Sequence, residues 1–249
     1  MSKQVMAVVL TRNEEANIAD CIESLQWADG VVVFDSYSDD RTVEIAREQG
    51  ARVIQHPFRG YGSQRNAALD AVDAEWVFFV DADERATPQL GVEIRQVIED
   101  PACAGWWVPR HNYIFGGVIL HTGWYPDYQL RLLRRRQARY DPQREVHEII
   151  ILDGEAGYLE HPLIHYNYAT VSQFLAKQRR YANYDARILQ EQGIRARPYK
   201  FISRPWAEFR RRYFTLQGYK DGWRGLLLSG LMAYYQFVVY GRLWQLDRN

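Results

Sequence analysis

At 249 residues and 47% hydrophobic, the chain is long enough to bury a sizeable core without disulfide or metal staples. Its 31 basic and 31 acidic residues cancel, which excludes a chain-wide field for nucleic acid, so any polyanion contact must be local. Cys21 and Cys103 lie far apart without metal-type spacing, which excludes zinc fingers and disulfide frameworks, points to a reducing compartment and makes both expected core thiols.

Taken in chain order, Val5 to Leu10 reads as a short apolar strand, entered from a start that lacks signal-peptide order. Glu15 to Leu25 places Ile18, Cys21, Ile22 and Leu25 at helical spacing. Val31 to Phe34 is a second strand ending at Asp35, and Asp39 or Asp40 is placed to cap a helix through Glu48 that Gly50 closes. Arg52 to Gln55 gives a third strand, Gly62 to Val72 a third helix and Trp76 to Val80 a fourth strand. This alternation implies an α/β fold with a parallel sheet, whose functional loops follow Leu10, Phe34 and Val80. A helix over Pro88 to Ile98 ends the regular part. Beyond it Gly105 to Pro109, Gln129 to Leu133 and Leu159 to Tyr166 read as strands between aromatic and glycine-rich loops, with no clean linker.

From Val171 the pattern is helical. Aromatic content is 14%, with 17 Tyr and 8 Trp, many of them beyond residue 106 and interleaved with arginine, as on surfaces that meet sugars, headgroups or a membrane interface. Arg195, Arg197, Lys200, Arg204 and Arg210-Arg211-Arg212 lead to sixteen uncharged residues, Gly225 to Tyr240. A membrane-spanning helix needs about 20 apolar residues, so this stretch fits an interfacial anchor on an anionic leaflet, with a core or dimer-forming helix pair as the alternative.

The chemistry-bearing residues cluster at the ends of predicted strands. Asp81-Ala82-Asp83-Glu84 follows the run Trp76 to Val80, which delivers its carboxylates to the carboxyl edge of the sheet. Such carboxylates suit a hydrated divalent ion completed by substrate phosphates; alone, the tetrad fits a solvated acidic turn equally well. Thr11-Arg12-Asn13-Glu14-Glu15 follows the first strand, and Thr11 or Asn13 can serve as a helix cap. Asp35-Ser36-Tyr37-Ser38-Asp39-Asp40-Arg41-Thr42 adds polar groups on the same edge, suited to a base and ribose. Neither GxGxxG nor GxxxxGK[ST] follows the first strand, which argues against dehydrogenases, epimerases and P-loop enzymes.

These segments, in order with Gly60-Tyr61-Gly62-Ser63-Gln64-Arg65-Asn66 between them, resemble the inverting family 2 glycosyltransferases, most closely the bacterial lipopolysaccharide core glucosyltransferase group. Trp124-Tyr125-Pro126-Asp127-Tyr128-Gln129-Leu130-Arg131, Val146-His147-Glu148 and the Gly218 to Gly225 region extend the likeness with lower specificity. The resemblance implies a GT-A fold, a Rossmann-like mixed sheet with helices on both faces. Residues 1–170 would be catalytic, with 1–100 serving the donor and 101–170 the acceptor, and 171–249 would form a helical membrane-associating extension. It further implies that Thr11, Glu14 and Asp35 hold the base, that Arg65 lies near base or phosphate, that Asp81 contacts ribose or sugar, and that Asp83, after Ala82, binds Mg2+ or Mn2+. Arg12 stands where many relatives carry an aromatic that stacks on uracil; arginine stacks too, and the base identity stays open.

On the acceptor side the resemblance implies Trp124, Tyr125, Asp127 and Arg131. Glu148 is the expected base that deprotonates the acceptor hydroxyl, the alternative being a surface carboxylate paired with Arg144. His147 would donate to the diphosphate or complete the metal shell. Arg131 and Arg134 would assist the leaving group or bind an anionic acceptor, and the rest of the cluster through Arg139 reads as a solvated face. His111, His121, His161 and His165 show no tight metal spacing and read as structural or acceptor-side groups. The expectation is a metal-dependent transferase moving a hexose, glucose from UDP-glucose, to a lipopolysaccharide inner-core or other membrane glycolipid, on the cytoplasmic face of the inner membrane. No nucleic-acid partner is expected, and a homo-oligomer is compatible. The competing readings are a polyprenyl-phosphate sugar transferase and a catalytically silent nucleotide-sugar-binding module.

Overall fold

A computed structural model describes residues 4–100, 102–141 and 149–248. The strands β1 (Val5–Thr11), β2 (Gly30–Asp35), β3 (Arg52–Gln55) and β4 (Trp76–Asp81) alternate with helices α1 (Ile18–Glu23), α2 (Thr42–Glu48) and α3 (Tyr61–Ala71). After β5 (Glu84–Ala86) and α4 (Pro88–Val97) come β6 (Cys103–Ile114), β7 (Gly117–Ile119), β8 (Tyr128–Arg134), β9 (Ala138–Tyr140), β10 (Ile150–Leu152), β11 (Glu155–Tyr158) and β12 (Leu163–Tyr168). The helices α5 (Val171–Glu191), α6 (Lys200–Arg210) and α7 (Gly222–Leu246) complete the chain.

Two compact units divide these elements: Met1–Arg110 with Asp127–His165, and His111–Pro126 with Tyr166–Asn249. A single boundary at residue 170 would leave His111–Pro126 with the first unit. The structure gives that segment to the second, where the nearly buried Asp221 accepts from the backbone N–H groups of Leu120 and His121 (3.2 and 3.1 Å) and from the Thr122 hydroxyl (2.7 Å).

In the first unit β1 runs parallel to β2 on one side and β4 on the other, with Val8 opposite Val32 and Phe79. β8 then pairs antiparallel with β4, making the sheet mixed. Side chains alternate across a strand, so β4 feeds two cores. Trp76, Phe78 and Val80 join Ile18, Cys21, Ile22 and Leu25 beside α1, with Leu90 and Ile94 of α4, on one face. Val77 and Phe79 join Ala68 and Leu69 of α3 with Val72 on the other. Each fully buried aromatic contributes about 1.5–3 kcal/mol, enough for this two-faced packing to hold β1 and β4 rigidly at the centre. Cys21 is a core thiol as expected; Cys103 is only partly buried at the start of β6.

In the second unit α5 starts at a capping box, the Thr170 hydroxyl accepting from the Gln173 N–H. Ala182 and Ala186 of α5 pack with Tyr235, Val239, Tyr240 and Leu243 of α7. The uncharged stretch Gly225 to Tyr240 therefore serves in part as core: Gly225, Leu228, Ser229, Tyr235, Val239 and Tyr240 are buried, while Leu226, Tyr234 and Phe237 are exposed. No helix among the described residues is long and apolar enough to cross a membrane.

Candidate active site

Because β1 lies between β2 and β4, the loops after all three open on the carboxyl edge of the parallel strands, at the point where the winding reverses. Asp35, fully buried at the end of β2, accepts from the Thr11 hydroxyl (3.1 Å), the Ser38 N–H (2.9 Å), the Ser38 hydroxyl and the Gln55 amide (3.2 Å). Those donors match the roughly four lone-pair sites of a carboxylate, so both Asp35 and Thr11 are engaged in shaping the loops. The loops after β1 and β2 are also laced directly. The Asn13 N–H donates to Ser38 Oγ (2.9 Å), its side-chain oxygen accepts from the Asp39 N–H (2.8 Å), and the Glu14 N–H donates to Thr42 Oγ1 (2.7 Å). This lacing holds Asn13 and Tyr37 at φ of 58° and 56°, the left-handed region that non-glycine residues seldom occupy. Arg12 is exposed, and burial lifts the Glu14 carboxyl above its ordinary range against the lowering effect of the Asn17 amide.

The acidic tetrad divides its work between a strand end and a turn. Glu84 is fully buried; its Oε2 accepts from the Asp81 N–H (2.9 Å), and its Oε1 accepts from Arg110 Nη1 (3.1 Å) and Arg131 Nη2 (3.0 Å). Asp81 accepts from both Nη groups of Arg131, one at 3.2 Å, and from Arg65 Nη2 at 3.3 Å. Burial opposes ionisation of Asp81, but the Arg131 and Arg65 charges outweigh it and hold the carboxyl well below the usual range. Arg131 is likewise held above its ordinary value: burial works against its charge, and Asp81 and Glu84 prevail. Arg65 lies against the rings of Phe79 (5.2 Å) and Tyr140 (5.7 Å), and Arg110 donates to Asp127 through Nε (3.0 Å) and Nη2 (2.7 Å). A cavity of about 510 Å³ is lined by Arg65, Asp81, Arg110, Gln129, Arg131 and Tyr140.

Asp83, in the turn beyond Ala82, keeps 35% of its side chain exposed, and its Oδ2 lies 3.3 Å from His165 Nε2. β12 supplies that histidine by pairing antiparallel with β5, His165 opposite Glu84. The sequence reading assigned His165 no place beside Asp83.

The structure thus brings Arg65, Asp81 and Arg131 together, joins Thr11 to Asp35, and ties Asp127 in through Arg110. Trp124 and Tyr125 belong to the second unit. There the Trp124 ring packs edge-on against Tyr168 (6.1 Å), and Tyr125, 38% exposed, lies 5.4 Å from His111, whose imidazole burial shifts to lower pKa. His147 and Glu148, with Arg144, lie outside the described residues.

A family model described as glycosyl transferase family 2 matches residues 6–158, a span that holds every residue of the network above except His165. The chain belongs to glycosyl transferase family 2. Among its relatives, the lipopolysaccharide core biosynthesis glycosyltransferase LpsC of Rhizobium meliloti (strain 1021) is 31% identical over 96% of this chain and 91% of its own length. The low-salt glycan biosynthesis hexosyltransferase Agl6 of Haloferax volcanii is 43% identical over 83 residues, which are 30% of this chain and 20% of that protein. In structure, glucosyl-3-phosphoglycerate synthase from Mycobacterium tuberculosis in complex with phosphoglyceric acid superposes with a TM-score of 0.50 at 20% identity, covering 77% of this chain and 81% of that one. The family 2 chain has the GT-A fold, and its activity class is glycosyl transfer.

Proposed function

We propose that this family 2 glycosyltransferase is an inverting enzyme that moves a hexose, glucose from UDP-glucose, to the saccharide of a membrane lipid of the lipopolysaccharide inner-core class. The observation that carries the reading is the Asp83–His165 pair beside the arginine-clamped Asp81, at the sheet edge where nucleotide ligands bind. LpsC supports the acceptor class through its named role in lipopolysaccharide core biosynthesis, and Agl6 supports the hexose.

A partly exposed carboxylate with an imidazole nitrogen 3.3 Å away fits a hydrated Mg2+ or Mn2+ whose shell is completed by waters and diphosphate oxygens. No group of three or more metal-type side chains is assembled among the described residues. Asp83 and His165 would hold it. When bound, it supplies Lewis-acid stabilisation of the departing diphosphate. Arg131 and Arg65 keep Asp81 ionised and oriented for the ribose or sugar, and Glu84 fixes Arg131 and Arg110 in turn. Arg12 and Glu14 are the base-side groups on loops already fixed through Asp35. Glu148 removes the proton of the acceptor hydroxyl while that oxygen attacks the anomeric carbon from the face opposite the diphosphate. The basic and aromatic C-terminal third suits an anionic leaflet, on the cytoplasmic face of the inner membrane.

The test is release of nucleoside diphosphate from a panel of nucleotide sugars, with and without Mn2+ or Mg2+, joined by calorimetry of the same nucleotides. Metal-dependent release from UDP-glucose is expected. Glu148→Gln is expected to lower turnover far more than donor affinity. Release from another nucleotide sugar alone would replace the donor, and neither release nor nucleotide binding would overturn the reading.

A further inference from the structure

We propose that α6 and the turn that follows it form the membrane-contacting surface of this protein, lying in the headgroup region of an anionic bilayer. This deepens the reading of a membrane-borne acceptor and rests on it.

On α6 Ile202, Trp206 and Phe209 recur at helical spacing, and Tyr213 continues the row. Ile202 is 77% exposed and Trp206 62% exposed, the most open large apolar side chains on this helix. Trp206 stacks on Phe209 at 6.1 Å, Phe209 on Tyr213 at 5.5 Å, and Tyr213 meets Phe214 and Tyr219 edge-on. The neighbouring row faces inward: Phe201 packs on Phe237 and Trp244, and Glu208 is held by Arg211 and Arg212. Core packing therefore accounts for one side of α6 and leaves Ile202 and Trp206 exposed on the other. Exposed Ile202 and Trp206, continued through half-buried Phe209 and Tyr213 to exposed Phe214 and Tyr219, form one interaction surface rather than scattered apolar exposure.

Charge identifies the occupant. Lys200, Arg204 and Arg210 are the cations of α6: Lys200 and Arg204 lie 5.7 and 6.0 Å over the Tyr240 ring of α7 and are met by no carboxylate among the described residues, and the one acid, Glu208, is engaged by Arg211 and Arg212. Just before the helix, Arg195, Arg197 and Lys200 line a hollow of about 560 Å³ together with Tyr199, Gly193 and Ile194. In a two-fold contact between copies this surface would meet itself, cation against cation, with no free acid on α6 to answer. An anionic leaflet satisfies both halves of the pattern: headgroup phosphates take the guanidinium and ammonium groups, and the Trp and Tyr rings take the interfacial layer. The surface is distinct from the stretch Gly225 to Tyr240, whose buried positions are already packed within the unit.

The experiment is co-sedimentation of the full chain with phosphatidylcholine vesicles with and without phosphatidylglycerol, without nucleotide sugar, alongside the oligomeric state without lipid. Binding to the phosphatidylglycerol vesicles that weakens with salt is expected. The Ile202→Ser, Trp206→Ser double variant should bind them at least about tenfold more weakly, and so should the Arg204→Glu, Arg210→Glu double variant. Both should release nucleoside diphosphate from soluble donor at the parent rate, which confirms their folding and separates a failure of this surface from a failure of the transferase reading. Wild-type indifference to phosphatidylglycerol, or both variants binding like the parent, would overturn the proposal. A lipid-free dimer that the Ile202→Ser, Trp206→Ser variant dissolves would assign the surface to a second copy instead.

Discussion

In the first unit Arg65, Arg110 and Arg131 are tied to Asp81, Glu84 and Asp127, and Glu84 at the centre of that network is fully buried. In the second unit Arg204, which lies 6.0 Å over the Tyr240 ring, and Arg210 share α6 with exposed Ile202 and Trp206, and no carboxylate among the described residues pairs with either. The same residue type thus serves opposite ends. Where arginine is matched by acids it is a strut that sets the geometry of neighbouring carboxylates; where it is left unmatched beside aromatics it is a contact waiting for an external anion. The contrast also explains how a chain of zero net charge can carry a local anion-seeking surface.

The contrast breaks first at Arg131. Arg131→Ala leaves Asp81 with Arg65 and the buried Glu84 with Arg110 and the Asp81 N–H, and stability in urea denaturation should fall by about 3–5 kcal/mol; a loss below about 1 kcal/mol would mean that water screens the network. Asp83→Ala should leave the fold intact and lower metal-stimulated diphosphate release by about a hundredfold or more, checked by Mn2+ titration of the rate. His165→Asn should weaken the apparent Mn2+ affinity by roughly 10–100-fold, measured as the Mn2+ concentration for half-maximal rate; an unchanged value would confine His165 to packing. For Asp81 the folded value is depressed, so its contribution to stability is present above the unfolded-chain value, about 3.9, and is lost as pH falls through the depressed one. The stability gap between wild type and Asp81→Asn should therefore be flat from neutrality to about pH 5 and shrink below about pH 4. Arg210→Ser, on the exposed side of the comparison, should change unfolding stability by no more than about 0.5 kcal/mol while weakening vesicle binding.

The central strands were legible because β1, β2 and β4 are buried on both faces and so appear as unbroken apolar runs bounded by polar loops. The strands β5, β7, β9, β10 and β11 were not: each is three or four residues long, too short to show a period, and none stands in the regular strand–helix alternation that revealed the equally short β3. The first helix was read as Glu15 to Leu25 and is Ile18–Glu23, entered through a turn in which the Glu14 carbonyl accepts from the Asn17 and Ile18 N–H groups (both 2.9 Å) while the Glu14 and Glu15 N–H groups donate to Thr42 and Asp40 of the neighbouring loop. The last strand was read from Leu159 and starts at Leu163, where pairing with β5 begins. Asp81 and Asp83 were singled out because a strand end is a local feature. His165 was not placed with Asp83, since only an antiparallel pairing between distant segments brings the two together. Gly225 to Tyr240 was read as an interfacial anchor with a core or dimer-forming helix pair as the alternative; part of it is core, and a helix that is apolar on most sides reads the same whether protein or lipid covers it. The exposed row on α6 is interrupted by Arg204, Arg210 and Pro205, which hide it from any search for long apolar runs.

The saturated carboxylate of Asp35 has a consequence for how a donor meets this protein. With its acceptor sites filled by the chain's own donors, the loops after β1 and β2 lose their conformational entropy during folding rather than at encounter. The amide hydrogens of Glu14, Ser38 and Asp39 should accordingly exchange with solvent as slowly as those of the sheet they adjoin. A ligand arriving at such a preorganised rim selects nothing and reshapes little, so its affinity reports the contacts it makes and not the ordering of the loops that make them.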